Sequence, residues 1–242
     1  MLGYESKLYE KLKGEPGVPT MYWYGVEGDF NVLVMDILGP PLASLFKFCE
    51  HKFSIKTILI IASQLVQRIE SLHSKNFIHR DIKPENFLIG QGKKSQTVFM
   101  IDFGLSKRYR CPKIGTHIPL IERGGITGTP RYCSLNAHKH YEQSRRDDLE
   151  AIGNILIYFC KEGNLPWMRA EEKGLKEMLK IKENTTIEAL CEGLPACFRQ
   201  YMNYCRNLKF EQKPDYKYLK GLFENTFNEQ GFENDGRFDW VI

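Results

Sequence analysis

Two short polar motifs constrain this chain more than any other feature. Residues 79–86 read His-Arg-Asp-Ile-Lys-Pro-Glu-Asn, and Asp-Phe-Gly follows at residues 102–104, sixteen positions after Asn86. The apolar runs at 87–89 and 98–101 that lie between them are typical of short β-strands joined by a hairpin turn. Since a hairpin returns the chain on itself, the sequence predicts that both motifs lie at one site.

The two motifs resemble the catalytic-loop and magnesium-binding signatures of protein kinases, and their side chains suit the transfer of a phosphoryl group. Asp81 fits the carboxylate that orients an acceptor hydroxyl and takes its proton. Asn86, five residues later, supplies a neutral oxygen to a metal ion, and Asp102 supplies a charged one. Lys83 offsets negative charge on the transferred group. Each fragment alone is common, but a chance match of both in this order has odds of about one in a hundred.

Apolar spacing along the chain predicts an α+β fold that becomes helical after residue 143. A helix is predicted at 4–13, strands at 21–25 and 30–37, and a long amphipathic helix at 54–72 with Ser54 as its cap. A loop-rich stretch at 104–143 follows the short strand pieces, and loops of that length are usually functional. The later helices are predicted at 147–160, 173–181, 187–191, 196–208 and 217–227.

Composition limits the partners and the compartment. Of 242 residues, Lys plus Arg number 34 and Asp plus Glu 30, a net charge of +4, which argues against a dedicated nucleic-acid or membrane-surface protein. No apolar stretch approaches the ~18 residues of a membrane span. The seven cysteines are irregularly spaced, which favours reduced thiols in a cytoplasmic or nuclear protein over zinc or disulfide scaffolds.

Beyond the two motifs, segments along the whole chain carry a resemblance to one family. From Tyr4-Glu5-Ser6-Lys7 onward, the chain is similar to the casein kinase I family of serine/threonine protein kinases. The segments that carry the resemblance are Gly17-Val18-Pro19, Trp23-Tyr24-Gly25, Asn31 to Asp36, Asn76 to Asp81, Thr127-Gly128-Thr129, Glu142 to Asp148, Leu165-Pro166-Trp167, Pro214-Asp215-Tyr216 and Phe238-Asp239-Trp240.

The resemblance implies a protein-kinase-like fold with two parts. Residues 1–38 would be a truncated N-lobe of one helix plus a β-hairpin, and residues 39–242 a mainly helical C-lobe with the catalytic loop. It also implies ATP and Mg²⁺ as cofactors, with Asn86 and Asp102 as the metal ligands. The expected partners are protein substrates with acidic or phosphorylated residues near the target Ser or Thr. The oligomeric state stays open.

The resemblance also places a nucleotide pocket. Met35 resembles the gatekeeper at the back of the adenine site, Asp36 and Leu38 the hinge, and Leu88 and Ile101 its floor. The same side chains suit an ordinary core. The two interpretations, nucleotide pocket and core, are compatible, because a nucleotide base binds in an apolar pocket that offers one or two backbone polar groups.

Further residues match supporting positions of the family. Asp148 resembles the buried acid that anchors the catalytic loop, and Arg80 is expected to pair with the loop that follows Asp102. Thr127 resembles the threonine that contacts the catalytic aspartate and lysine. Arg131 with Lys107 resembles a basic site for an acidic or phosphorylated substrate residue, because both give charge-assisted bonds to phosphate oxygens.

One departure from the family pattern is large. No G-x-G-x-x-G loop and no Val-Ala-x-Lys strand precede the helix that carries Glu5, so the expected lysine partner of Glu5 is missing. Gly90-Gln91-Gly92 lies after the catalytic loop and is predicted to be a hairpin turn. The chain is therefore expected to be either incomplete, beginning at an internal methionine, or the product of a gene that has lost its phosphate clamp.

Three functions remain under consideration from the sequence. The first is a magnesium- and ATP-dependent serine/threonine protein kinase, with Asp81, Lys83, Asn86 and Asp102 as catalytic residues. The second is a catalytically impaired scaffold or binding protein of kinase shape, which the missing clamp favours. The third, a small-molecule phosphotransferase, is disfavoured by Lys83 and by the segment Thr127-Gly128-Thr129.

Overall fold

Helix α1 (Leu2–Lys11) and an antiparallel hairpin of β1 (Met21–Glu27) and β2 (Phe30–Met35) form the first part of the chain. The computed structural model describes residues 2–122 and 125–241. Helix α1 buries Leu8 and Tyr9. No strand residue of the hairpin is fully buried, and Tyr22 and Phe30 are largely exposed. The hairpin therefore adds little to the core.

The core forms around two long helices, α3 (Ile55–Ser74) and α5 (Arg145–Cys160). The α3 N-terminus is capped as predicted, because Ser54 Oγ accepts a hydrogen bond from the Thr57 amide at 3.2 Å. Its apolar stripe is buried against α5 and against α9 (Tyr216–Glu229). Helix α5 is buried on nearly every side, which explains its weak apolar periodicity.

Two small antiparallel sheets position the motifs between these helices and the hairpin. Strand β3 (Phe77–Ile78) pairs with β6 (Lys107–Arg108), and β4 (Phe87–Ile89) pairs with β5 (Val98–Met100). The first motif follows β3 directly, and Asp-Phe-Gly begins two residues after β5. As predicted, the β4–β5 hairpin returns the second motif to the first.

The remaining helices follow the predicted pattern with shifted ends. They are α6 (Leu175–Asn184), α7 (Ile187–Leu190) and α8 (Ala196–Asn207). The two-residue strand β6 was not predicted. The helical elements that were not predicted include α2 (Leu42–Phe48), α4 (Leu135–His138) and a 3-10 segment at Pro166–Lys173. Each is too short to develop a clear helical period. The loop-rich stretch at 104–143 includes residues 123 and 124, which lie outside the described residues.

No helix within residues 2–122 or 125–241 is both long enough and apolar enough to cross a membrane. The seven cysteines are all free thiols, and four of them are buried. Burial of this kind is ordinary for a cysteine that packs as a small apolar side chain.

Candidate active site

Asp148 anchors the first motif to the helical core. Its Oδ2 accepts a hydrogen bond from the His79 amide at 2.8 Å, and its Oδ1 accepts one from the Arg80 amide at 2.9 Å. The His73 ring nitrogen Nε2 lies 2.9 Å from Oδ2. Asp148 lies on α5 and His73 on α3, so both central helices hold the loop. Arg80 adopts a left-handed backbone (φ 70°), a strained conformation that such anchoring maintains.

The charge state of this anchor follows from its contacts. Burial opposes ionisation of Asp148, but the hydrogen bonds from His73 and Arg80 outweigh it and hold its pKa below the usual value. Burial lowers the pKa of His73, so its ring is neutral near pH 7. A neutral ring donates from Nε2 to Asp148 and accepts at Nδ1 from the Tyr216 hydroxyl, 2.7 Å away.

Asp81 is held between a cation and a hydroxyl. Lys83 Nζ lies 2.7 Å from Asp81 Oδ2, and the Thr129 hydroxyl donates to Oδ1 at 2.7 Å. Burial opposes the charge of Lys83, but Asp81, Asp102 and Glu85 raise its pKa overall. Lys83 is therefore protonated and lies within electrostatic reach of both motif carboxylates.

The threonine that reaches Asp81 is Thr129, and the prediction of Thr127 for this role was wrong. Between them, Gly128 has a left-handed backbone (φ +95°) and packs so closely that an added Cβ would lie 2.2 Å from the Arg80 carbonyl oxygen. This turn carries residue 129 to the catalytic loop. The Thr127 carbonyl instead accepts a hydrogen bond from the Gln143 side chain at 2.9 Å.

A backbone hydrogen bond places Asn86 and Asp102 next to each other. The Asn86 Nδ2 donates to the Asp81 carbonyl at 2.9 Å, which leaves Oδ1 as the free acceptor of that amide. The Ile101 amide donates to the Asn86 carbonyl at 3.0 Å and so places Asp102 next to it. Asp102 also has a left-handed backbone (φ 61°). The structure thus brings together Asp81, Lys83, Asn86 and Asp102.

The chemistry of these donors fits a magnesium ion that is shared with a nucleotide. Mg²⁺ prefers oxygen ligands, and a carboxylate plus an amide oxygen meet that preference. Within the described ranges, no group of three or more His, Cys, Asp or Glu side chains is arranged to hold a metal ion. A cation at Asn86 and Asp102 would therefore need further oxygens, such as those that the phosphates of a nucleotide would supply.

Glu5 has a partner that the sequence did not indicate. Its Oε1 accepts a hydrogen bond from the Phe103 amide at 3.1 Å. Burial and the nearby Asp102 raise the pKa of Glu5. On the same face of α1, the Tyr9 hydroxyl accepts from the Asp102 amide at 3.3 Å, and its ring meets Phe103 edge-on at 4.9 Å. Tyr9 was not predicted, although its i+4 spacing from Glu5 was a visible signal.

The predicted nucleotide-pocket residues lie on β2 and β4 and in the segments that follow β2 and β5. Met35 and Ile101 are half-buried, as is Leu88, which pairs with Phe99 across the β4–β5 hairpin. The Asp36 carboxylate accepts hydrogen bonds from the Thr20 amide at 2.9 Å and the Tyr22 hydroxyl at 2.5 Å. The Leu38 carbonyl accepts from the Gln91 side chain at 2.9 Å.

The supporting cations are bound to different groups. Arg80 Nε donates to the Leu105 carbonyl at 2.7 Å, which ties the first motif to the loop after Asp102. Lys107 Nζ lies 2.8 Å from Glu142 Oε2. Arg131 makes a two-point ion pair with Glu171. Arg131 and Lys107 are therefore each neutralised by a separate carboxylate of the chain.

A groove of about 690 Å³ opens beside the candidate catalytic residues. Lys83, Asn86, Thr129, Arg131 and Glu171 are among the residues that line it. Two of these, Lys83 and Thr129, contact the Asp81 carboxylate. The groove lies on the C-terminal part of the molecule, away from the exposed hairpin.

Comparison with known families agrees with this site. The family model described as "Protein kinase domain" matches residues 2–214, which include both motifs, the anchor Asp148 and the groove. Such domains generally use ATP with a divalent metal ion and act on proteins. The match covers most of the chain, and the chain belongs to the protein kinase domain family.

Proposed function

We propose that this protein is a serine/threonine kinase of casein kinase I type that transfers the γ-phosphoryl group of ATP to acidic or pre-phosphorylated proteins. The observation that carries the proposal is the position of Asp81, fixed between Lys83 and Thr129 next to Asn86 and Asp102. The casein kinase I assignment and the Ser/Thr preference rest on the sequence resemblance.

The reaction follows from the contacts of Asp81. The acceptor hydroxyl oxygen forms a bond to the γ-phosphorus while the bond to the leaving ADP oxygen breaks, and the hydroxyl proton passes to the Asp81 carboxylate. The Thr129 hydroxyl fixes the orientation of that carboxylate, and the ammonium of Lys83 offsets charge on the transferred group. Asn86 and Asp102 would hold the magnesium ion, which neutralises phosphate charge when bound.

The substrate preference and the location rest on separate observations. Arg131 is the cation best placed for an acidic or phosphorylated substrate residue, because it lines the groove next to Lys83 and Asn86. Lys107 forms an ion pair with the buried Glu142 and is therefore less suited to bind a substrate anion. Seven free thiols support a cytoplasmic or nuclear location.

The test is phosphoryl transfer by the full chain to casein with labelled ATP and magnesium. We expect label on serine and threonine after acid hydrolysis, and none when EDTA removes the metal. Label on tyrosine would contradict the Ser/Thr assignment. Absence of both magnesium-dependent nucleotide binding and transfer would instead support the impaired scaffold.

A further inference from the structure

Glu171 occupies the anion-binding face of Arg131. The Arg131 Nε lies 2.6 Å from Glu171 Oε1, and its Nη2 lies 2.7 Å from Oε2. In this fork geometry a guanidinium binds either a carboxylate or a phosphate. The hydrogen bond from Arg131 lowers the pKa of Glu171, so the carboxylate is ionised at neutral pH. The face of Arg131 that would bind a substrate anion is thus already filled from within the chain.

The two partners differ in how firmly they are held. The Arg131 carbonyl accepts a hydrogen bond from Trp167 Nε1 at 2.7 Å, and Trp167 is fully buried. The buried Lys182 donates to the neighbouring carbonyls of Pro130 at 3.1 Å and Cys133 at 2.8 Å. Arg131 therefore projects from a rigid segment. Glu171 follows the buried Ala170 near the end of the same 3-10 segment that carries Trp167, and its side chain is 35% exposed.

The ion pair lies where a substrate chain would pass. Both side chains line the groove that begins at Lys83 and Asn86. The lining also includes the apolar Leu175 and the buried Met178, and its other cation, Lys83, is already paired with Asp81 at 2.7 Å. A negatively charged substrate residue in this groove must therefore share Arg131 with Glu171 or displace it.

We propose that Glu171 is an internal competitor that occupies Arg131 until a phosphorylated substrate residue displaces it. A phosphate carries a charge of about −1.5 to −2 and three acceptor oxygens, whereas Asp or Glu only exchanges one carboxylate for another. Glu171 therefore selects phosphorylated over merely acidic substrates at this groove. This inference rests on the proposed function and narrows its substrate class.

The experiment measures peptide binding without requiring catalysis. Three fluorescent peptides share one acceptor serine and differ at a single upstream residue, which is serine, aspartate or phosphoserine. Anisotropy titrations of the full chain at low salt give their dissociation constants. We expect tightest binding of the phosphoserine peptide and little difference between the other two. Glu171→Gln should tighten binding of both charged peptides by about 3- to 10-fold, which corresponds to a partly exposed ion pair.

Matched variants identify the source of any change. Glu172→Gln removes the same charge from the adjacent exposed position and should leave all three constants unchanged. Arg131→Gln should abolish the preference for charged peptides, both alone and combined with Glu171→Gln. If Glu171→Gln binds the charged peptides no better than Glu172→Gln does, the proposal is wrong.

Phosphoryl transfer to the same peptides, measured in parallel, separates this inference from the proposed function. Predicted binding without any transfer would refute the kinase activity while supporting Glu171 as a competitor. Transfer to serine with a Glu171→Gln variant that binds and reacts like the parent chain would refute the competitor alone.

Discussion

At the scale of single residues, the site depends on charges whose partners are fixed by burial. Asp148 is almost fully buried, and its three donors come from the first motif and from α3. An ionised carboxylate in that position is stable only while those donors remain. The orientation of Asp81 therefore depends on a residue that lies far from it in the sequence.

Acid should destabilise the fold through His73 and His138. Burial lowers the pKa of both rings, so the unfolded chain binds protons that the folded chain does not. The free energy of unfolding should fall as pH drops below about 6.5, by up to about 1.4 kcal/mol per pH unit for each proton. The depressed pKa of Asp148 adds a further loss at lower pH.

Urea unfolding between pH 7.5 and 5 measures this dependence. His73→Gln retains a donor for Asp148 and should reduce the slope of the unfolding free energy against pH. An unfolding free energy that stays constant over this range would contradict the neutral, buried state of His73.

Sequence reasoning indicated the candidate catalytic residues but not all of the contacts that the structure gives them. Asp81, Lys83 and Asn86 lie within six residues, so their mutual placement follows from local spacing. The Thr129 contact depends on a left-handed turn at Gly128. Arg131 and Glu171 are separated by 40 positions, and neither lies in a pattern that predicts their ion pair.

At the scale of elements, the segment around Gly128 connects the loop-rich stretch to the first motif. Periodicity predicted the long helices α3 and α5 well, because each buries a continuous apolar surface. Periodicity did not predict α2 and α4, which have only seven and four residues. The conformation of such short helices depends on the elements that pack against them. The turn at Gly128 is similar to these short helices, because tertiary contacts determine its conformation.

Gly128→Ala should impair catalysis more than folding. The substitution strains a left-handed backbone and forces a Cβ against the Arg80 carbonyl, at a cost of about 1–3 kcal/mol. We expect the segment to shift away from Asp81 and the transfer rate to fall at least tenfold. Initial rates, together with the melting temperature, measure both effects.

Gly125→Ala is the matched control, because its added Cβ would meet nothing within 4 Å and its backbone is not left-handed. Normal transfer by Gly128→Ala would mean that the close approach to Arg80 is not needed to position Asp81.

At the scale of the whole molecule, stability is distributed unevenly. The buried core is built mainly from α3, α5, α8 and α9, whereas the hairpin exposes Tyr22, Val26 and Phe30. The sequence predicted this hairpin, and an isolated pair of strands is only marginally stable. Local opening of the hairpin should therefore cost much less than global unfolding.

Hydrogen exchange followed by mass spectrometry tests this difference. Amides of residues 21–35 should exchange far sooner than those of α3 and α5, whose buried side chains resist opening. Equal protection of the hairpin and α5 would show that the two parts unfold as one unit.

The central claim is that Asp81 and its neighbours form a single phosphoryl-transfer centre. The most direct measurement compares the transfer rate and the ATP affinity of the full chain with those of Asp81→Asn. Asparagine retains the shape and the Thr129 contact but cannot take the acceptor proton, so the rate should fall by about 100- to 10,000-fold with ATP affinity nearly unchanged. An undiminished rate in Asp81→Asn would contradict the account.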